Sequence, residues 1–161
     1  MFSVGFGIKN REKRIREMAK SDRCTAVILA AVHFEWMLKR ALLKLGTSPT
    51  SELRQVLESV YSMAGKNGQQ GYSDVWASEI GSKFKHAALG TVIGKLQRIQ
   101  AQALNVRGKV IHGNGTVSKK DADEAIELFL GAGEKLRNFA ANNGCDLDSK
   151  LRTRRKPRRK P

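Results

Sequence analysis

A chain of 161 residues, 40% hydrophobic and 28% charged, is long enough for one domain with a core, and this composition excludes a disordered or fibrous chain. Lys and Arg number 30 against 15 Asp and Glu, giving a formal charge of +15. That imbalance makes a polyanion the expected partner, nucleic acid first and an anionic membrane second.

The amino terminus, MFSVGFGIKNREKR, has too short an apolar run for a signal peptide. IKNREKRIREMAKSDR follows with seven basic and three acidic residues. From residue 11 to residue 45 there is no proline or glycine, and Ile28, Ala31, Glu35, Leu38, Leu42 and Leu45 recur at three- and four-residue steps, the pattern of one long helix with a core stripe. Its apolar stretch, CTAVILAAVHFEWML, is too short for a membrane span and is interrupted by His33 and Glu35. These features point to a soluble, cytoplasmic protein without a membrane partner. His33 reads as a packed histidine with one satisfied nitrogen, and Trp36 as core. Glu35, inside the core stripe, needs a cationic or hydrogen-bonding partner, for which Arg107 is the candidate, unless it lies at the edge of the stripe in water.

Gly46 ends this helix, and TSPTSELRQVLESVYSMAG opens a second, with Leu53, Val56, Leu57 and Val60 as its buried side. GKNGQQGYSD reads as a loop, and DVWASEI as a short helical piece. SKFKHAALGTVIGKLQRIQAQALNVRGKVIH then runs as one long helix, its seam formed by Leu89, Val92, Leu96, Ile99, Ala103, Val106 and Val110. Phe84 reads as core, and His86, beside Lys83 and Lys85, as surface. A second line, Ile93, Gln100, Leu104, Arg107 and Ile111, suggests either a broad core contact or an interface with a second copy. The last helix starts at Ser118 with Asp121 three residues on, and buries Ala122, Ile126, Phe129, Leu136 and Ala140 before Asn142, Asn143 and Gly144 stop it.

No stretch alternates at period two, so the expected fold is all-α, an up-and-down four-helix bundle with a short extra helical piece. The expected divisions are a basic N-terminal extension or start of the first helix over 1–19, a helical domain over 20–142, and a basic flexible tail over 143–161. That tail, KLRTRRKPRRKP from residue 150, holds eight basic residues and no acid. Cys24 and Cys145 stand far apart with no Cys/His cluster near them, so they read as reduced thiols and no metal or cofactor is expected. With aromatics at 6%, no stacking platform for bases is expected.

VRGKVIHGNG, at 106–115, departs from a plain bundle pattern. His112 follows Arg107 by five positions, about 140° apart on an ideal helix. Gly113-Asn114-Gly115 is a termination signal, placing His112 in the final turn or cap, where its ring can swing beside Arg107. The alternative is a C-terminal histidine stabilised by the helix dipole.

Arg107-Gly108-Lys109-Val110-Ile111-His112-Gly113 resembles the Arg-x(4–6)-His motif, often followed by glycine, of HEPN domains (higher eukaryotes and prokaryotes nucleotide-binding). The order of elements over residues 20–142 is similar too, including AVILAAVHFEWMLKRALL as the acid-bearing first helix. The resemblance implies a metal-independent endoribonuclease acting as a homodimer, with Arg107 and His112 of two subunits facing one cleft and Glu35 supporting Arg107. It implies a role in phage defence, toxin–antitoxin systems or RNA processing, with an antitoxin or regulatory protein as a further partner. Gly108 departs from the family pattern, which places a polar residue, commonly Asn, after the Arg. Some HEPN domains are noncatalytic binding or dimerisation modules, so the departure bears on activity.

The residues fit the chemistry. RNA supplies its own nucleophile, the 2′-hydroxyl, and the His112 imidazole can take or give a proton while Arg107 can fork onto two phosphate oxygens. The expected products carry 2′,3′-cyclic phosphate and 5′-hydroxyl ends. Lys109, Asn114, Arg152, Arg154 and Arg155 are candidate RNA contacts. A noncatalytic nucleic-acid-binding module is the alternative, its basic ends acting through counterion release.

Overall fold

The computed structural model describes residues 7–66, 68–85 and 87–155. Among these the regular structure is helical, with one isolated bridge between Lys66 and Gln69. No helix among them is long and apolar enough to cross a membrane. The surface position expected of His86 lies outside the described residues, as do the first six residues and the tail beyond Arg155.

The single helix expected over 11–45 is two helices, α1 (Ile8–Ser21) and α2 (Arg23–Leu45). Asp22 leaves helical geometry (φ −143°, ψ 95°), and its carboxylate accepts the Thr25 N–H, capping α2. α1 folds back antiparallel on α2, so that Ile8 and Ile15 are buried and the Arg11 guanidinium lies 3.9 Å from the Trp36 ring centroid. No glycine or proline marks this break. The cap supplies local stabilisation, and the second packing face of α1 supplies the rest. Of the two readings of residues 1–19, an extension or the start of a helix, the residues from Ile8 onward are helical and packed, pinned to the last helix by ion pairs from Arg16 to Glu127 (3.1 Å) and from Arg137 to Glu12 (3.1 Å).

That last helix, α8 (Lys119–Asn142), follows the sequence pattern closely: Ser118 accepts the Asp121 N–H, Ala122, Ile126, Phe129, Leu136 and Ala140 are all buried, and Gly144 takes the left-handed conformation (φ 71°). α2 and α8 run in the same direction. Arg23 meets Asp123 at one end, and Lys44 reaches the Asp146 carbonyl at the other. Ala30, Ala41 and Gly133 are buried on these helices, and Phe34 packs on Phe129 across them (centroids 5.9 Å apart).

α3 (Thr50–Glu58) buries Leu53 and Leu57; Val60 is buried just beyond its end, but Val56 is 37% exposed, against expectation, because the short helix presents only one face to α2. α4 (Tyr72–Trp76) continues into a π-helical turn, Ala77–Gly81, as the expected short piece, and the buried Trp76 indole donates to the Ala87 carbonyl at 2.6 Å.

The next helix breaks where the sequence pattern ran through. α5 (Leu89–Ile93) ends at Gly94, whose φ of 73° is open to glycine and strained for other residues. The chain restarts as α6 (Leu96–Arg98), passes through a π-helical turn over Ile99–Ala103 and ends as α7 (Leu104–His112). This arm runs antiparallel to α8, with Arg98 3.6 Å from Glu124. Ile99, Ala103 and Val106 of the expected seam are buried, whereas Val92, Leu96 and Val110 are only partly covered. The second line divides: Ile93 is buried in the core, but Ile111 is 43% exposed. Of the three aromatics read as core, Phe129 is fully enclosed, whereas Trp36 and Phe84 are half-buried.

The expected flexible tail is corrected as far as Arg155. Leu147 is buried, Arg40 donates to the Leu147 and Ser149 carbonyls (3.0 and 2.6 Å), and the Asp148 carboxylate accepts the Ile8 N–H (3.1 Å). Arg154 exchanges backbone and side-chain bonds with Thr50, and its guanidinium donates to the Leu43 and Ser48 carbonyls (2.7 and 2.9 Å). This basic segment docks as far as Arg155 because helix-end carbonyls need donors, and arginines provide them.

Candidate functional site around Arg107

α7 is regular through His112 and ends on Gly113 in the left-handed conformation (φ 64°), a glycine C-cap that accounts for the GNG signal. Because the helix stays intact, Arg107 and His112 keep their separation of about 140°. Arg107, half-buried, lines a pocket of about 80 Å³ whose apolar walls include Phe34, Leu38 and Phe129. His112 is exposed and does not line that pocket. Within one chain, therefore, the expected swing of the imidazole to the guanidinium does not occur. Lys109 lies partly buried on the same helix, and Asn114 is exposed in the loop beyond it.

Glu35 and Tyr72 place the polar groups of this pocket. Glu35 Oε1 accepts from the Tyr72 hydroxyl at 2.9 Å and pairs with Lys39 Nζ at 2.9 Å. Its direct partners are thus neither Arg107 nor water alone. Burial acts to raise the Glu35 pKa, but the hydrogen bonds from Lys39 and Tyr72, with the charges of Lys39 and Arg107, outweigh it and hold the carboxyl below its ordinary value. Burial and the adjacent carboxylate push the Tyr72 phenol up, so Tyr72 stays protonated and donating. The supporting role expected of Glu35 is thereby reduced to one of field: it is a fixed negative charge beside Arg107, tied to α4 through Tyr72.

Two residues at the pocket escaped the sequence reading. Tyr72 follows the glycine that opens α4 and looked like loop. Tyr61, 85% exposed at the pocket's edge, is a large aromatic with an open face. Its one signal was its place after Val60, where the neighbour of a buried residue turns outward.

His33 is buried and stacked on Trp36 (centroids 6.3 Å apart), but neither ring nitrogen has a hydrogen-bond partner. Nε2 lies 3.7 Å from the Glu12 carboxylate, too long for the satisfied nitrogen expected from the sequence. Among the described residues no group of three or more His, Cys, Asp or Glu side chains is placed to hold a metal ion, and both cysteines are free thiols. The tail arginines lie at the far end of α8 from His112; Arg152 and Arg155 are exposed, whereas Arg154 is committed to backbone carbonyls.

Gly108 is helical, and a Cβ built on it would meet nothing within 4 Å. Packing therefore does not require glycine here. Gly108→Ala is expected to raise stability by about 0.5–1 kcal/mol, read from urea unfolding, and Gly108→Asn to fold as the parent does. Compared with protein-family models, with curated proteins and with solved structures, the chain matches none.

Proposed function

We propose that this chain is a metal-independent endoribonuclease that works as a homodimer, built on an up-and-down four-helix bundle of HEPN type, with a role in defence or toxin–antitoxin biology under the control of a protein partner. The observation that carries the reading is the division of one motif over two faces of α7. Arg107 sits in an apolar-walled pocket beside the Glu35 carboxylate, while His112 stands exposed on the last turn next to the exposed Ile111. Each chain is then half a site, and a two-fold mate packed on the Ile111 face completes it.

The chemistry needs no protein nucleophile. One His112 takes the proton of the 2′-hydroxyl as its oxygen attacks the adjacent phosphorus, and the 5′-oxygen leaves with a proton from the partner's His112. Arg107 holds the non-bridging oxygens as charge builds on them. A noncatalytic RNA-binding module is the second reading, favoured by Gly108, which stands where the HEPN pattern places a polar residue.

The test is RNA incubated with the protein in a chelator, beside a mass measurement in solution. Fragments with 2′,3′-cyclic phosphate and 5′-hydroxyl ends, made by a dimer, are expected. Cleavage by a monomer would overturn the shared site, and RNA bound but never cut would establish the second reading.

A further inference from the structure

At the end of α8 remote from His112, the docked tail encloses a second cavity, of about 440 Å³. Five cations line it, Lys44, Lys83, Lys150, Arg152 and Arg154, against one carboxylate, Asp146. They come from four places in the chain: the last turn of α2, the turn after the Ala77–Gly81 segment, the start of the basic segment and its anchor. The sequence showed only the last two.

The cations divide by what they already hold. Arg154 is committed to the carbonyls of Leu43 and Ser48, and the Lys44 ammonium to the Asp146 carbonyl and the Ser149 hydroxyl. The bond to Leu43 neutralises the carbonyl-rich end of α2, which would otherwise repel an anion. Lys83, Lys150 and Arg152 make no ion pair among the described residues, and all three are exposed. Burial and the neighbouring Arg40 lower the Lys44 pKa, as expected where positive charge is crowded. The cavity between α5–α6 and α8, by contrast, sets Lys95, Arg98 and Lys135 against Glu124 and Glu127, and Arg98 is already paired with Glu124.

We infer that this basic cleft holds phosphates of an RNA strand whose other end reaches His112, so that the protein selects RNA long enough to span the domain. The inference rests on the reading of RNA as the partner and adds where the strand is held. Lys83, Lys150 and Arg152 are the phosphate contacts, and Lys44 and Arg154 shape the cleft. α8 is 24 residues long, about 36 Å at 1.5 Å per residue. A helical strand rising about 3.4 Å per nucleotide covers that span in about ten nucleotides. A concave site suits a strand better than a bilayer, and none of the large exposed apolar residues, Val32, Val56, Tyr61 or Ile111, lines the cleft to enter a membrane.

The test uses the full chain and 2′-O-methyl oligoribonucleotides, which lack the free 2′-hydroxyl and so cannot be cut by the proposed chemistry. Binding of the parent is expected to tighten with length up to about ten nucleotides and then level off. The triple variant Lys83→Ala, Lys150→Ala, Arg152→Ala should bind long oligonucleotides about tenfold more weakly at low salt, with the slope of log affinity against log salt shallower by about 2, since each single-strand phosphate contact contributes about 0.7. It should melt with the parent, because Arg154 and Leu147 still anchor the tail. Unchanged affinity and salt slope in the triple variant overturn the inference even where RNA is cut. Weaker binding in that variant upholds it even where no RNA is ever cut. Loss of binding to phosphatidylserine vesicles, with RNA affinity intact, overturns it in favour of a membrane surface.

Discussion

His112→Ala is expected to lower RNA cleavage by about 10²–10⁴-fold, the usual contribution of a positioned general acid or base, while leaving RNA affinity within a few-fold of the parent. The side chain is exposed at the end of α7, so its removal should change stability by no more than about 0.5 kcal/mol. Lost activity then cannot be assigned to unfolding. Arg107→Ala should lose cleavage to a similar degree and also weaken RNA binding, because the guanidinium meets the phosphate in the bound state as well as in the transition state. Gel-resolved cleavage of a labelled RNA, paired with melting curves, reads both. A His112→Ala protein that cuts at the parental rate removes the nuclease proposal and leaves the basic cleft standing by itself.

Glu79→Ala is expected to cost about 2–4 kcal/mol of stability, the largest effect predicted for any residue away from the site. Glu79 is a nearly buried carboxylate in the turn after α4, and it accepts the N–H groups of Thr47 and Ser48 at 2.8 and 2.9 Å as well as both hydroxyls. It fixes the link between α2 and α3, where Gly46 is required because a Cβ would stand 2.6 Å from the Leu42 carbonyl and 2.9 Å from Glu79 Oε2. Alanine would leave those donors without an acceptor.

The same residue sets a pH dependence. Burial works to raise the Glu79 pKa, but the hydrogen bonds from Ser48 and Thr47 prevail and hold it below its ordinary value. A carboxyl depressed in the folded state stabilises fully above its unfolded pKa, about 4.5, and that contribution is lost as pH falls through the lower folded value. Urea unfolding should therefore show the parent losing its advantage over Glu79→Gln across the acid range as pH falls below about 4.5. A constant difference across that range would mean that Glu79 acts through packing and not through its charge.

Some of this architecture could be read directly from the sequence. α8 was legible from cap to cap because its signals are local: a serine with an aspartate three residues on, apolar residues at helical spacing, and an Asn-Asn-Gly stop. The core stripe of α2 was legible for the same reason, and so was the glycine end of α7. The breaks at Asp22 and Gly94 were not. Asp22 lies in a stretch with no helix breaker, and Gly94 sits inside an unbroken apolar seam; each turn exists because the folded-back segment gains a face to bury. The site divides in the same way. Arg107 and His112 were named by their spacing, and Lys39 follows Glu35 by four residues on the same helix, but Tyr72 and Tyr61 enter through tertiary packing that spacing does not encode.

The sequence by itself determined that the chain is helical, where its last helix begins and ends, that it is strongly basic, and which arginine and histidine share a helix. These follow from short-range periodicity, capping chemistry and charge. Only the tertiary structure decided that Glu35 answers to Tyr72 rather than to Arg107, that His112 faces away from the Arg107 pocket, and that the basic tail docks to form a cleft with Lys44 and Lys83. In each case the partner lies at least a helical turn away, often more than thirty residues along the chain, and is chosen by which buried donors and acceptors must be satisfied once α2 and α8 have packed.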